Sequence, residues 1–276
     1  ALSKNQIGAL QSTQLARFST TQVAALNSAQ TAALTADHLA ALSSTQFQSL
    51  TTAGIGGFSL LQIAGLSTTQ VSSLSVAQVA GLTAVAISAL SSSQMAALSA
   101  DQVAAFQAAQ IKGLTTTQIS GLEGSQLAAL SASAFAAFTP TQINALSPEQ
   151  MATLTATQIR GFSAAGLSGL STGQLSAITE TQISAMTTTQ VRGLTATQIT
   201  ALTDAQVGSL SASQIARLTT TAITGFEGQD IAGFNASQLG AFSGVQLDAL
   251  TSTQLASLAS SQLASLTSTQ VMGFSA

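Results

Sequence analysis

Every eighth residue from Leu2 to Phe274 is Leu, Phe, Ile or Met, and a second apolar column follows five residues behind it. Between the columns stand Ser or Thr, two free positions and Gln; two small residues close the unit, as in MTTTQVRGLTATQITALTDAQVGSL at 186–210. The pattern runs through 34 octads without insertion or deletion. On one continuous α-helix an octad overshoots two turns by about 80°, so the apolar columns would spiral around the axis and form no single buried face. On a strand, columns five and then three residues apart point to opposite faces, which only a β-solenoid with regular corners accommodates.

Short helices fit every column. Ser or Thr followed three residues later by Gln is the capping box: the hydroxyl accepts from a free amide of the first turn, and Gln reaches back to the amide of the cap. The flanking Leu and Ile or Val supply the hydrophobic staple. Of the 34 octads, 27 have Ser or Thr at the cap, with Asn27 and Asn235 as further good caps; 27 have Gln in its slot; and 33 have an apolar residue after it, Thr31 being the exception. Each octad is therefore a helix start, and a start every eight residues predicts helices about six residues long, each ended by the cap of the next.

The rarer residues agree. Pro140 and Pro148 both fall at the first helical position, where a missing amide and fixed φ cost nothing. Eight of nine acids (Asp37, Asp101, Glu123, Glu149, Glu180, Asp204, Glu227 and Asp230) lie between the cap and the Gln slot, and five of six bases (Arg17, Lys112, Arg160, Arg192 and Arg217) occupy the last two positions of their octads. That is the order a helix dipole favours; Lys4 and Asp248 break it.

Identical junctions repeat one bend, and one repeated bend makes a screw. The expected fold is all-α, an α-solenoid of about 34 very short capped helices with three or four per superhelical turn; the alternative is a β-solenoid. It spans 1–276 as a single continuous array, in register at both ends and so expected to be a segment of a longer repeat tract. Two large apolar side chains cannot offset the entropy of ordering eight residues, so each octad depends on its neighbours. The column before each Leu is Ala, Gly, Ser or Thr in 32 octads, which predicts close backbone approach there; the column before that tolerates Lys112, Asn144, Arg160, Arg192 and Asp248 and is expected to face solvent. Nine of eleven phenylalanines replace the first-column Leu, five of them after Gly, as though bulk were offset by a smaller neighbour. TTAGIGGF at 51–58 reads as a soft rung, Leu60 and Leu61 as a lateral contact, and His38 and Asp230 as stand-ins for Gln.

Composition excludes most chemistry. Six basic and nine acidic residues give a net charge of −3, with no Lys/Arg cluster to grip phosphate, so nucleic acid is not an expected partner. Mean hydropathy is +0.43, yet no run reaches the ~18 apolar residues of a membrane span. With no Cys and one His there is no zinc ligand set, no Asp-rich calcium turn and no phosphate-cradling glycine loop; no cofactor is expected. Asp37-His38 beside abundant serines suggests a triad only superficially, because adjacent helical residues point about 100° apart. The expectation is no enzyme, with no catalytic, cofactor or metal residues.

The stretch LSPEQMATL (146–154) resembles the start of the DNA-reading repeats of plant-pathogen effectors, but covers one octad and lacks the base-reading pair. The whole run of L-S/T-x-x-Q-I/V octads resembles repeat tracts of very large bacterial surface or secreted, adhesin-like proteins. That resemblance implies an exported stalk or matrix component at the cell surface or outside the cell, and absent Cys is compatible with export. The expected function is an extracellular structural or adhesive rod, stalk or self-assembling filament, such as a surface fibre, sheath or biofilm matrix. Its expected partner is itself, laterally or end to end, with a cell surface or matrix as a further candidate. The alternative is an ice- or surface-binding module that uses a Ser/Thr-rich face.

Overall fold

Each octad becomes one helix, and in most of them a cap hydroxyl and a Gln close the first turn from both sides. The computed structural model describes residues 2–274, and among them are 34 helices of four to six residues, from α1 (Lys4–Gly8) to α34 (Ser268–Met272), with no strand. The β-solenoid alternative falls, because the apolar columns that would point to opposite faces of a strand converge on one side of each short helix. The N-cap residues are extended, near φ −70° and ψ 160° as at Ser67 (−70°, 156°) and Ser147 (−72°, 160°). The preceding apolar residue is extended too at several junctions, such as Leu42 (−68°, 131°) and Leu114 (−62°, 133°). Two extended residues thus turn the chain from one helix to the next, and no described residue needs a positive φ.

Both prolines take the first helical position, in α18 (Pro140–Asn144) and α19 (Pro148–Thr153). Five caps lack a hydroxyl or Asn: Gln11, Gln107, Glu123, Glu227 and Ala259. Their side chains make no cap bond. Their own amides still donate to the residue in the Gln slot, so only the return half of the box survives there.

The chain divides into two compact units, Ala1–Ala137 and Phe138–Ala276. Within each, the substantial helix contacts join a helix to the third one after it, for instance α9 (Thr68–Ser72) to α12 (Ser92–Ala96) and α25 (Ala196–Thr200) to α28 (Thr220–Ile223). Three helices therefore make one superhelical turn, and residues 24 apart stack. Away from the terminal turns, the apolar residue after the Gln slot is enclosed, as at Ile63 and Ile199 (both 0 % exposed), and the first-column residue nearly so, as at Leu66 (5 %); Leu263 and Val271 in the last turn are open. Each unit is an α-solenoid with an apolar core.

The small column does mark close approach. A Cβ on Gly113 would meet Ala84 O at 2.5 Å, and one on Gly225 would strike Ala196 O and lie 2.8 Å from its carbonyl carbon. Of the glycines before phenylalanine, Gly57 and Gly225 lie at such approaches, whereas a Cβ on Gly233, before Phe234, would meet no atom of another turn within 4 Å. The rings of Phe226, Phe234 and Phe242 instead pack on each other, with centroids 5.2 and 5.6 Å apart. Lys112, Asn144, Arg160, Arg192 and Asp248 are exposed, as their column predicts.

Candidate functional site

The conspicuous polar feature of the interior is glutamine. Gln118 in α15 (Thr116–Ser120) is 2 % exposed. Its Oε1 accepts from the Thr115 amide at 2.9 Å, and its own amide donates to Thr115 Oγ1 at 3.1 Å, completing the box the sequence predicts. Its Nε2 then donates to the carbonyls of Ile87 (2.8 Å) and Leu90 (2.7 Å), 31 and 28 residues back. In the other unit, Gln174 accepts from Ser171 N–H (3.0 Å) and donates to Ile143 O (3.0 Å) and Leu146 O (2.8 Å). The same link recurs at Gln62, Gln94, Gln110, Gln190 and Gln246, among others. Each of these glutamines thus fastens its turn to the turn before; Gln118 gives Leu90 O a donor and adds a second to Ile87 O, which also accepts from Leu90 N–H (3.1 Å).

Sequence reasoning found the acceptor half of this residue and missed the donor half. The signal was the absence of Glu: a capping box accepts Glu or Gln at that position, yet no octad uses Glu. Glu could cap but could not donate.

The exceptional slots behave differently. His38 (3 % exposed) reproduces the glutamine: Thr35 N–H donates to Nδ1 (3.1 Å), which fixes the proton on Nε2, and Nε2 donates to Leu10 O (2.7 Å). Both ring nitrogens are spent on backbone, and the exposed Asp37 beside it shares neither bond. Asp230 reproduces only half, since its Oδ2 accepts from Glu227 N–H at 2.8 Å and a carboxylate has no donor. Thr31 and the octad 51–58 are a single local repacking. The buried Thr31 hydroxyl donates to Gly54 O at 2.7 Å, while Gly57 lies against Ser28, where a Cβ would come within 2.7 Å of both Ser28 Cα and Thr31 Oγ1. The rung is specified by its neighbour one turn away, which the octad pattern alone cannot show.

The surface of the first unit carries a second pattern. Stacking at 24 residues sorts the cap and the next two positions of α3 (Thr20–Ala24), α6 (Ser44–Gln48), α9, α12 and α15 onto one side, in consecutive turns. These are residues 19–21, 43–45, 67–69, 91–93 and 115–117, all Ser or Thr and all exposed. The cap hydroxyls accept amides, as at Ser67 (3.1 Å) and Ser91 (3.2 Å). The hydroxyls of Thr20, Ser44, Thr68, Ser92 and Thr116 take no part in the capping boxes. The other sides of this unit mix Ala with exposed Leu60, Leu61, Val76 and Val85.

Among the described residues no cluster of three or more His, Cys, Asp and Glu is placed to hold a metal, and no helix is long and apolar enough to cross a membrane. A chain in which every octad is the same helix start, stacked at a constant step within each unit, is a tandem-repeat protein with an α-solenoid fold. By sequence it is similar to the ALTTAQ repeat family, which matches residues 7–44, 119–156 and 183–220. The three matches begin at Ile7, Ile119 and Ile183, the same position of the octad. No curated protein matches the sequence.

Proposed function

We propose that the chain is an extracellular structural repeat protein, a stiff stalk or self-assembling element of a surface fibre or matrix, without enzymatic activity. The glutamine ladder carries this reading. The buried polar capacity of the repeat is spent on fastening one turn to the next, so every turn is both template and product of its neighbours and the array extends without a special part. A net charge of −3 over 276 residues leaves little self-repulsion between copies, and six Lys/Arg offer few sites to trypsin-like proteases. The resemblance to repeat tracts of large secreted and surface proteins points the same way. Electron cryo-microscopy of the purified chain is the test. Filaments or rods with a layer line near ~9–10 Å, the spacing of packed helices, are expected; a particle population with no ordered stacking and no assembly at any concentration would count against it.

The hydroxyl side of the first unit favours a second reading, an ice- or surface-binding module. The free columns look mixed along the chain, but the three-helix turn collects fifteen Ser and Thr on one side. Replacing Thr21, Thr69 and Thr117 with Lys is compatible with the fold, since the equivalent position holds Asp37, Leu61 and Val85 elsewhere. Thermal hysteresis present in the wild type and lost in that variant is the expected signature of this reading. Absence of hysteresis in the wild type removes it and leaves the structural role.

A further inference from the structure

Among the described residues one buried side-chain oxygen has no hydrogen-bond partner, Oδ1 of Asp230. Asp230 fills the glutamine slot of α29 (Gly228–Gly233) and is 8 % exposed. A glutamine there would donate to the carbonyls 28 and 31 residues back, those of Leu202 and Ile199; the carboxylate has nothing to give them. Asp204, the first residue of α26 (Asp204–Gly208), and Glu227, the cap of α29, complete an acidic group. Gln229 Nε2 joins these two, donating to Asp204 Oδ1 (3.0 Å) and Glu227 Oε2 (3.2 Å). Of the helices packed on α29, α26 contributes only Asp204 as a titratable group and α32 (Ser252–Ala256) contributes none. No cation on these elements balances the three carboxylates.

We infer that Asp230 makes the contact between α26 and α29 an acid-tightened joint, in which the protonated carboxyl donates from Oδ1 to the Leu202 or Ile199 carbonyl as glutamine does, and the ionised form leaves that link unmade. Aspartate is one methylene shorter than glutamine, so the bond forms by drawing α29 onto α26. Burial pushes the Asp230 carboxyl above the usual carboxylate range; the bond from Glu227 N–H opposes this, and the charges of Asp204 and Glu227 reinforce it. Between its ordinary and its raised value the folded chain binds a proton that the unfolded chain does not, so stability at this joint rises as pH falls through that window and is lost again as pH climbs through the raised value.

Hydrogen–deuterium exchange of the full chain, corrected for intrinsic rates, tests this. Amides of residues 199–206 and 227–234 should gain about tenfold protection on acidification into the carboxylate range, the factor one net hydrogen bond is worth. Asp230→Gln, which restores the residue used in 27 octads, should hold the high protection at every pH, and Asp204→Asn should move the transition to lower pH. Equal pH dependence in wild type and Asp230→Gln would overturn the inference. So would a carbon-13 titration of the wild-type Asp230 carboxyl at or below the ordinary aspartate value, a measurement that needs no variant.

Discussion

A glutamine amide is asymmetric, and this fold uses both ends of it. Replacing Gln118 with Glu keeps the oxygen that caps Thr115 but turns a second oxygen toward the Ile87 and Leu90 carbonyls. The expected cost is about 3 kcal/mol in urea denaturation, for a buried charge and the Leu90 carbonyl left unpaired, Ile87 O keeping the Leu90 N–H, and Gln118→Ala should cost less because no charge is introduced. The capping role of such residues was legible in the octad, since both partners lie three residues apart. The ladder was not: its acceptors lie 28 and 31 residues away, a separation that acquires meaning only once three helices are known to make a turn. The same holds for Thr31 and Gly54, two departures from the pattern that look independent along the chain and share one hydrogen bond in space.

At the scale of the helix, the start signals were legible in nearly every octad and the helix-to-helix packing was only partly legible. Caps and first-turn prolines are local, and the structure places them where the spacing puts them. Whether a given small residue is a contact or a gap depends on the neighbour one turn away. Gly225 and Gly208 make the contrast measurable. Gly225→Ala forces a Cβ into the Ala196 backbone and should destabilise by about 1–3 kcal/mol. Gly208, the last residue of α26, has open space for a Cβ, so Gly208→Ala should be neutral or stabilise by up to about 1 kcal/mol through helix propensity. Thermal or urea unfolding of the two variants should shift in opposite directions, or at least differ clearly. Leu61, at 85 % exposure, faces water in a position that holds Thr, Ala or Ser in most other octads, and nothing in the structure explains it.

Across the molecule, the eight-residue period is written in the sequence and the 24-residue period is hidden beneath it. Hydropathy repeats every octad regardless of how many helices close a turn, so the core could be foreseen while the division of the surface could not. The expected three or four helices per turn resolve to three within each unit, and the number decides which exposed residues become neighbours. With four, residues 19–21 and 43–45 would lie on different sides, and the hydroxyl surface of the first unit would dissolve into the mixed polar surface that the linear sequence suggests.

Three helices per turn also give the repeat a reading frame. Every octad presents the same core, so gain or loss of one leaves the fold intact, but it moves everything downstream by a third of a turn relative to everything upstream. An extra octad inserted between α9 and α12 should leave the circular dichroism and unfolding of the chain nearly unchanged while splitting the hydroxyl side in two. Three extra octads should lengthen that side without breaking it. Duplication in steps of eight residues is thus free for stability, and duplication in steps of 24 is free for the surface as well. A lineage that grows by slippage can change its length at will, but keeps a face only by counting in threes.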